Sequence, residues 1–212
     1  MNDAPGGGVL TPEQILEAAE DVLSRFGPSK ATVVDVARAL GVSHGSVYRH
    51  FPSKAALRDA VLERWLHRIS DPLEAVARGK EPAPERLRRW MDALMTAKRR
   101  RAREEAELFA TYGILAADAH AVVKAHVDVM VDQIARIIGD GIKSGAFTAK
   151  DARVAARSVF DATQRFHNPA HAAEWFDPGI DPAFEGVWSL LRAALTAPAG
   201  AGRSGRVTAA RS

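Results

Sequence analysis

Between positions 44 and 54 the chain gathers His44, Gly45, Ser46, Tyr48, Arg49, His50 and Lys54, a set rich in hydrogen-bond donors and cations with no carboxylate among them. Tyrosine, histidine, arginine and lysine side chains have the reach and polarity to hold phosphate oxygens, and a serine hydroxyl can donate to or accept from a base edge. Gly45 removes a side chain where a helix would approach closely. The chemistry implied is recognition of a polyanion. Signs of catalysis are thinner. Asp161, Arg165 and His167 lie close enough in sequence for acid–base work, and a packed corner explains them as well. His167 and His171 are four apart, but Pro169 between them interrupts regular helix. His120 and His126, six apart, fall on different helical faces. Cysteine is absent, as are a phosphate-cradling glycine loop and a His-Glu-x-x-His motif. No catalytic residue, metal or cofactor is expected.

The chain that must position these groups has 212 residues, 47% hydrophobic and 26% charged, an ordinary globular composition for one or two domains. No run of about 18 apolar residues appears, so no membrane span is expected. The first ten residues lack the basic start and apolar core of a signal peptide. A cytoplasmic location follows as the expectation. The net charge is only +3, but between Val22 and Ala55 five Lys or Arg face one acid, Asp35. That is the local positive field a phosphate-binding surface needs.

Helical spacing dominates the pattern. A first helix follows a Thr11-Pro12 cap, carries Ile15, Ala19, Val22 and Phe26 on one face, and ends before Gly27-Pro28. Thr32 and Asp35 form a capping box for a short helix that stops at Gly41. Ser43 caps a third helix and Ser53 a fourth, whose Leu57, Val61 and Trp65 share a stripe. Further helices are predicted over 84–101, 104–117, 119–144, 150–166 and 182–197. No convincing strand pattern appears, so the fold class is all-α: a three-helix helix-turn-helix domain followed by a larger helical domain. The boundaries are a disordered arm over 1–10, the helix-turn-helix domain over 11–52, a regulatory and dimerisation domain over 53–197, and a disordered tail over 198–212 carrying Arg203, Arg206 and Arg211. The basic run Lys98 to Arg103 is expected on a solvated helix end, beside Glu104, Glu105 and Glu107.

Residues 32–51 have the pattern of a helix-turn-helix. With Val47 facing inward, Phe51 falls on the inner side, Gly45 and Arg49 fall opposite, and Ser46 and Tyr48 flank them. His44 opens the helix. The stretch 15–57 resembles the tetracycline-repressor (TetR) family of bacterial transcription regulators. The residues that carry the likeness are Phe26-Gly27, Thr32, Val36-Ala37, Leu40 to Ser43, Gly45, Tyr48, His50-Phe51 and Ser53-Lys54, with Tyr-x-His-Phe-x-Ser-Lys as the most specific run. Pro28 departs from the pattern, standing where the family often has an aromatic residue. The resemblance implies a homodimer with a small DNA-reading domain and a larger ligand-sensing domain. It also implies that the third helix enters the major groove. On that basis His44, Gly45, Ser46 and Arg49 are candidate base contacts, and Thr32, Tyr48, His50 and Lys54 candidate phosphate contacts.

The function implied is sequence-specific binding of a palindromic double-stranded DNA operator by a dimeric, ligand-released repressor. A non-specific nucleic-acid binder and a helical enzyme using Asp161 and His167 are the rival readings. For the dimer seam the sequence offers Ala156, Val159 and Thr163 on one helix and Phe184, Trp188, Leu191 and Leu195 on the last, with Val187, Leu190 and Ala194 beside them. For a small-molecule effector, expected to be mainly hydrophobic, the candidate pocket residues are Trp90, Met95, Phe109, Tyr112, Met130 and Phe166. Core packing explains each of these singly. The segment 166–175 either borders a pocket or seam, or forms a packed corner.

Overall fold

The caps read in the sequence set where the first helices begin. In a computed structural model that describes residues 9–196, Thr11 and Gln14 close a capping box and α1 runs Pro12–Lys30. Its stripe of Ile15, Ala19, Val22 and Leu23 is buried. Phe26 does not join it: Gly27 adopts φ +73°, the helix breaks there, and Phe26 is left exposed. A second capping box, Thr32 with Asp35, starts α2 (Val33–Leu40). Gly41, at φ +67°, ends α2 in the left-handed conformation that glycine adopts without a Cβ clash. The Val42 amide then reaches back to the Ala37 carbonyl at 3.0 Å. Ser43 caps α3 (His44–Tyr48), and Ser53 accepts from the Ala56 amide at the start of α4 (Lys54–Ala77).

The remaining elements are α5 (Ala83–Glu104), α6 (Ala106–Asp118), α7 (His120–Lys143), α8 (Ala152–Ala162), α9 (Gln164–His167), a 3-10 segment (Pro169–Glu174) and α10 (Ile180–Thr196). There is no strand among the described residues, and no helix of theirs is long and apolar enough to cross a membrane. The arm and tail expected to be disordered lie outside the described residues, apart from Val9 and Leu10. One helix expected over 150–166 is two. Thr163 turns its hydroxyl onto the Val159 and Phe160 carbonyls (2.8 and 3.2 Å), and regular helix stops at Ala162. Such back-bonding offers the backbone an alternative to helix.

Two compact units emerge. The first joins the described residues up to Pro72 to Thr96–Val129, so the helix-turn-helix lies inside a larger unit. There α1 packs on α2 and on α6, and α2 on α3. Trp65 of α4 stacks on Tyr112 of α6, with centroids 4.4 Å apart and planes at 13°. Arg64 and Arg68 of α4 pair with Glu20 of α1, Arg68 at 2.8 Å. Pro72 sits inside α4 and has no amide proton for the Arg68 carbonyl four residues earlier. The guanidinium of buried Arg101 donates to that carbonyl instead, at 3.2 Å.

The second unit joins Leu73–Met95 to the described residues from Met130 onward. Buried Arg86 donates to the Ala77 and Gly79 carbonyls (3.2 and 2.7 Å), which satisfies the end of α4, and pairs with Asp140 at 2.9 Å. The Trp90 indole donates to Gln133 Oε1 at 2.9 Å. Arg88 clamps Asp92 and Glu185 while lying over the rings of Phe184 and Trp188.

The proline–arginine exchange at Arg68 is testable by a double-mutant cycle. Arg101→Met orphans a buried carbonyl and should cost about 1–3 kcal/mol in urea unfolding. In a Pro72→Ala background, where an amide can again reach that carbonyl, the cost should fall clearly. Equal costs in the two backgrounds would refute the exchange.

Candidate nucleic-acid interface

Val47 is fully buried, and Val42 and Phe51 are half-buried, so the corner between α2 and α3 is filled by apolar side chains from within. On the other side His44, Gly45, Tyr48, Arg49 and His50 are exposed, and Ser46 and Lys54 are half-buried. Helical hydrogen bonding runs past the end of α3 in turn form: the His50 and Phe51 amides both reach the Val47 carbonyl at 3.0 Å. Ser46 is the hub of the outer face. Its hydroxyl lies 3.0 Å from Ser43 Oγ and accepts from the Arg49 guanidinium at 3.2 Å. The arginine fork is thereby steered onto the same face as the serine, and the rings of His44 and Tyr48 meet edge to face at 6.3 Å. A Cβ added at Gly45 would meet nothing nearer than Ser43 Oγ at 3.8 Å. The fold does not need a glycine there; a close-fitting ligand would.

Thr32 requires a correction. Its amide and hydroxyl both donate to the Asp35 carboxylate, at 3.1 and 2.6 Å. These bonds, the side-chain one first, hold the Asp35 carboxyl below its ordinary value. With its donors spent on the cap, Thr32 has none aimed outward, and the amides of Val33 and Val34 are the donors left at this helix start.

Other expectations also change. The seam residues Ala156, Val159, Thr163, Phe184, Trp188 and Leu195 are buried within the protomer and Leu191 is half-buried, so the stripe chosen for a partner is largely core. The apolar stripe of α10 that reaches the surface is rotated from it: Leu190 is 73% exposed, with exposed Ala194 and half-buried Ala183 and Val187 on the same face, and Val154 of neighbouring α8 is 64% exposed. Of the pocket candidates, Phe109 and Tyr112 belong to the first unit and Trp90, Met95, Met130 and Phe166 to the second. All but Phe109 are buried, and Phe166 packs edge-on to Phe184 at 5.2 Å. In the basic run, Lys98 and Arg101 are buried rather than solvated. The stripe Leu87, Met91, Leu94, Lys98 and Arg101 repeats at four- and three-residue steps, which is the signal that could have found them. Burial first, then Arg101, lowers the Lys98 ammonium to about 8.

The acid–base trio does not converge. Asp161 is exposed and paired with Arg157, Arg165 pairs with Glu174, and His167 is buried against Thr163 Oγ1 at 3.2 Å. His171 also pairs with Glu174, and no group of three metal-ligating side chains forms among the described residues. The corner they share is closed by buried Trp175, whose indole donates to the Arg165 carbonyl at 3.0 Å. The run Gly41 to Gly45 has the Gly-x-Ser-x-Gly spacing of a hydrolase nucleophile elbow, which requires a strand-to-helix turn. Here it joins two helices, and Ser43 spends its hydroxyl capping Ser46.

A short second helix crossing the first behind a buried valine, with a polar and basic outer face, defines a helix-turn-helix protein. Residues 15–61 match the family described as bacterial regulatory proteins, tetR family, and residues 83–188 match the tetracyclin repressor-like C-terminal domain. The chain belongs to the tetR family. It is 37% identical over 71 residues to the HTH-type transcriptional regulator TtgR of Pseudomonas putida, which covers 34% of this chain and 33% of that one. The match thus spans about a third of the curated relative. Among solved structures it resembles SmeT, the repressor of the Stenotrophomonas maltophilia multidrug efflux pump SmeDEF, with TM-score 0.63, 19% identity, and 88% and 90% of the two chains covered. It also resembles FadR from Bacillus subtilis in complex with stearoyl-CoA, with TM-score 0.60, 16% identity, and 87% and 100% covered.

Gly45→Ala separates folding from recognition. Because the site has room for a methyl group, the thermal midpoint should hold or rise, since alanine favours helix by up to about 1 kcal/mol. Affinity for duplex DNA, read by anisotropy, should fall. Undiminished affinity would contradict close approach at this residue.

Proposed function

We propose that this chain is a sequence-specific, double-stranded DNA-binding transcriptional regulator that works as a homodimer and is released by a small molecule. The observation that carries the reading is the exposed face of α3, with Gly45, Ser46 and Arg49 side by side over a buried Val47. Within a reading domain over 11–52, His44, Gly45, Ser46 and Arg49 meet base edges. Tyr48, His50 and Lys54, with the first amides of α2, hold phosphates. The regulatory segment is 53–197.

A dimer matches the two half-sites of a palindrome, about one helical turn of DNA apart. The proposed seam is the stripe of exposed Leu190 and Ala194 with half-buried Ala183 and Val187 on α10, beside exposed Val154 of α8, a surface costly to leave in water. Membership of a regulator family, and likeness to SmeT and to FadR with its bound stearoyl-CoA, support repression and ligand response. Trp90, Met95, Phe109, Tyr112, Met130 and Phe166 remain candidates for contact with the effector. A ligand can shift the reading heads only by as much as it binds the two states differently.

Selection from a pool of genomic fragments should enrich a palindromic site. Tyr48→Ala should weaken binding evenly across sequences. Arg49→Ala should cost discrimination at one base position, about 1–3 kcal/mol. Binding with a steep salt dependence and no enriched sequence would favour the non-specific rival. Leu190→Glu should yield monomers in light scattering and weaken operator binding; an intact dimer would refute the seam.

A further inference from the structure

The outer face of α3 carries one side chain able to make two parallel hydrogen bonds to a base, Arg49. A guanidinium holds five N–H groups in a rigid fork. One Nη2 hydrogen of Arg49 goes to Ser46 Oγ, at 3.2 Å. Whichever of the two Nη2 hydrogens that is, one two-donor edge of the fork stays open. Ser46 is in turn held by Ser43: the two hydroxyl oxygens lie 3.0 Å apart, and Ser43 Oγ accepts from the Ser46 amide at 3.2 Å. The serine pair ties the exposed arginine back to the start of its own helix.

Side chains on a helix lean toward its N-terminus, so Arg49 passes over the turn that holds Gly45 and Ser46. Residue 45 stands four positions before it on the same face, and a glycine there leaves that track clear. The fork therefore lies along the outer face, where α3 would come nearest to the edges of the bases. In the major groove guanine alone offers two acceptors side by side, N7 and O6. Adenine and cytosine present amino groups there, the usual targets of amide and carboxylate side chains. From Val36 to Arg58 the chain has no Asp, Glu, Asn or Gln. The face is equipped chiefly to give hydrogen bonds to a base.

We propose that Arg49 reads one guanine in each half-site of the operator, through N7 and O6, and that Ser46 is the positioning residue that aims its fork. This assignment deepens the sequence-specific regulator reading, and rests on it, by giving one base of the operator its identity.

The test uses the full chain and the duplex selected from genomic fragments, with 7-deazaguanine placed at each guanine of one half-site in turn. The modified base pairs normally and lacks the N7 acceptor. Anisotropy should find one guanine where the change weakens binding about tenfold. In Arg49→Lys, which keeps the charge and loses the fork, that change should weaken binding no further. Ser46→Ala should shrink the penalty at this guanine, and Ser46→Thr, which keeps a hydroxyl, should restore it. A serine with only a structural part would alter affinity and leave the penalty as it was. An enriched duplex with no guanine sensitive at N7 would overturn the proposal in the wild-type chain, with no variant needing to fold. A penalty unchanged in Arg49→Lys would also overturn it, and either result leaves the sequence-specific regulator standing. No enriched sequence at all would overturn both. A penalty lost in Arg49→Lys but undiminished in Ser46→Ala upholds the guanine and overturns the part given to the serine.

Discussion

The reading face exists because one side chain is kept off it. Val47 occupies the corner between α2 and α3 with no exposed surface, and it anchors the rotation of a helix of only five residues. A glycine, a serine and a β-branched valine among five residues make α3 a poor helix in isolation. Burial of Val47, the left-handed stop at Gly41 and the Ser43 cap replace the missing propensity with tertiary support. The outer face is then free to be composed for a ligand: small at Gly45, polar at Ser46, cationic at Arg49. Local sequence that contradicts its own secondary structure is what a functional site looks like when its neighbours carry the stability.

The same contrast between satisfied and unsatisfied groups runs through the rest of the chain. Arg86 closes the end of α4, and Arg101 serves the carbonyl that Pro72 leaves open; each buried guanidinium of α5 answers a backbone need that α4 creates. Glu20 with Arg64 and Arg68, and Trp65 on Tyr112, tie α1 to α4 and α4 to α6. A shift of α4 or α6 would therefore be felt at α1, the helix against which α2 packs. Under the proposed function, that contact chain is the route by which a bound ligand would reach the face of α3.

Much of this is legible in the sequence where the cause is local. The cap at Thr11, the capping box at Thr32, the stop at Gly41 and the inward Val47 all follow from spacing within a few residues, and the structure has each of them. Sequence and structure part where the outcome depends on a distant partner. Phe26 fits an apolar stripe, yet the break at Gly27 turns it out. Phe184, Trp188 and Leu195 are apolar enough for a dimer seam, but the protomer's own core takes them first and leaves the rotated face with Leu190. Lys98 and Arg101 look solvated in a basic run, although their spacing continues the stripe from Leu87. Thr32 offers donors by its residue type, and Asp35 takes them. The corner at Trp175 reads equally as site or packing in the sequence, and its closed hydrogen bond favours packing.

A polyanion is met by the outer face of α3, with Lys54 beside it, and by the start of α2, and not by the basic run Lys98 to Arg103. Backbone amide shifts followed by nuclear magnetic resonance during titration with the selected duplex test this most directly. The account predicts that the largest changes fall on Ser43 to His50 and on Val33 and Val34, while amides around Lys98 to Arg103 stay near their free positions. Shifts concentrated in the Lys98 to Arg103 segment, with Ser43 to His50 unmoved, would contradict it.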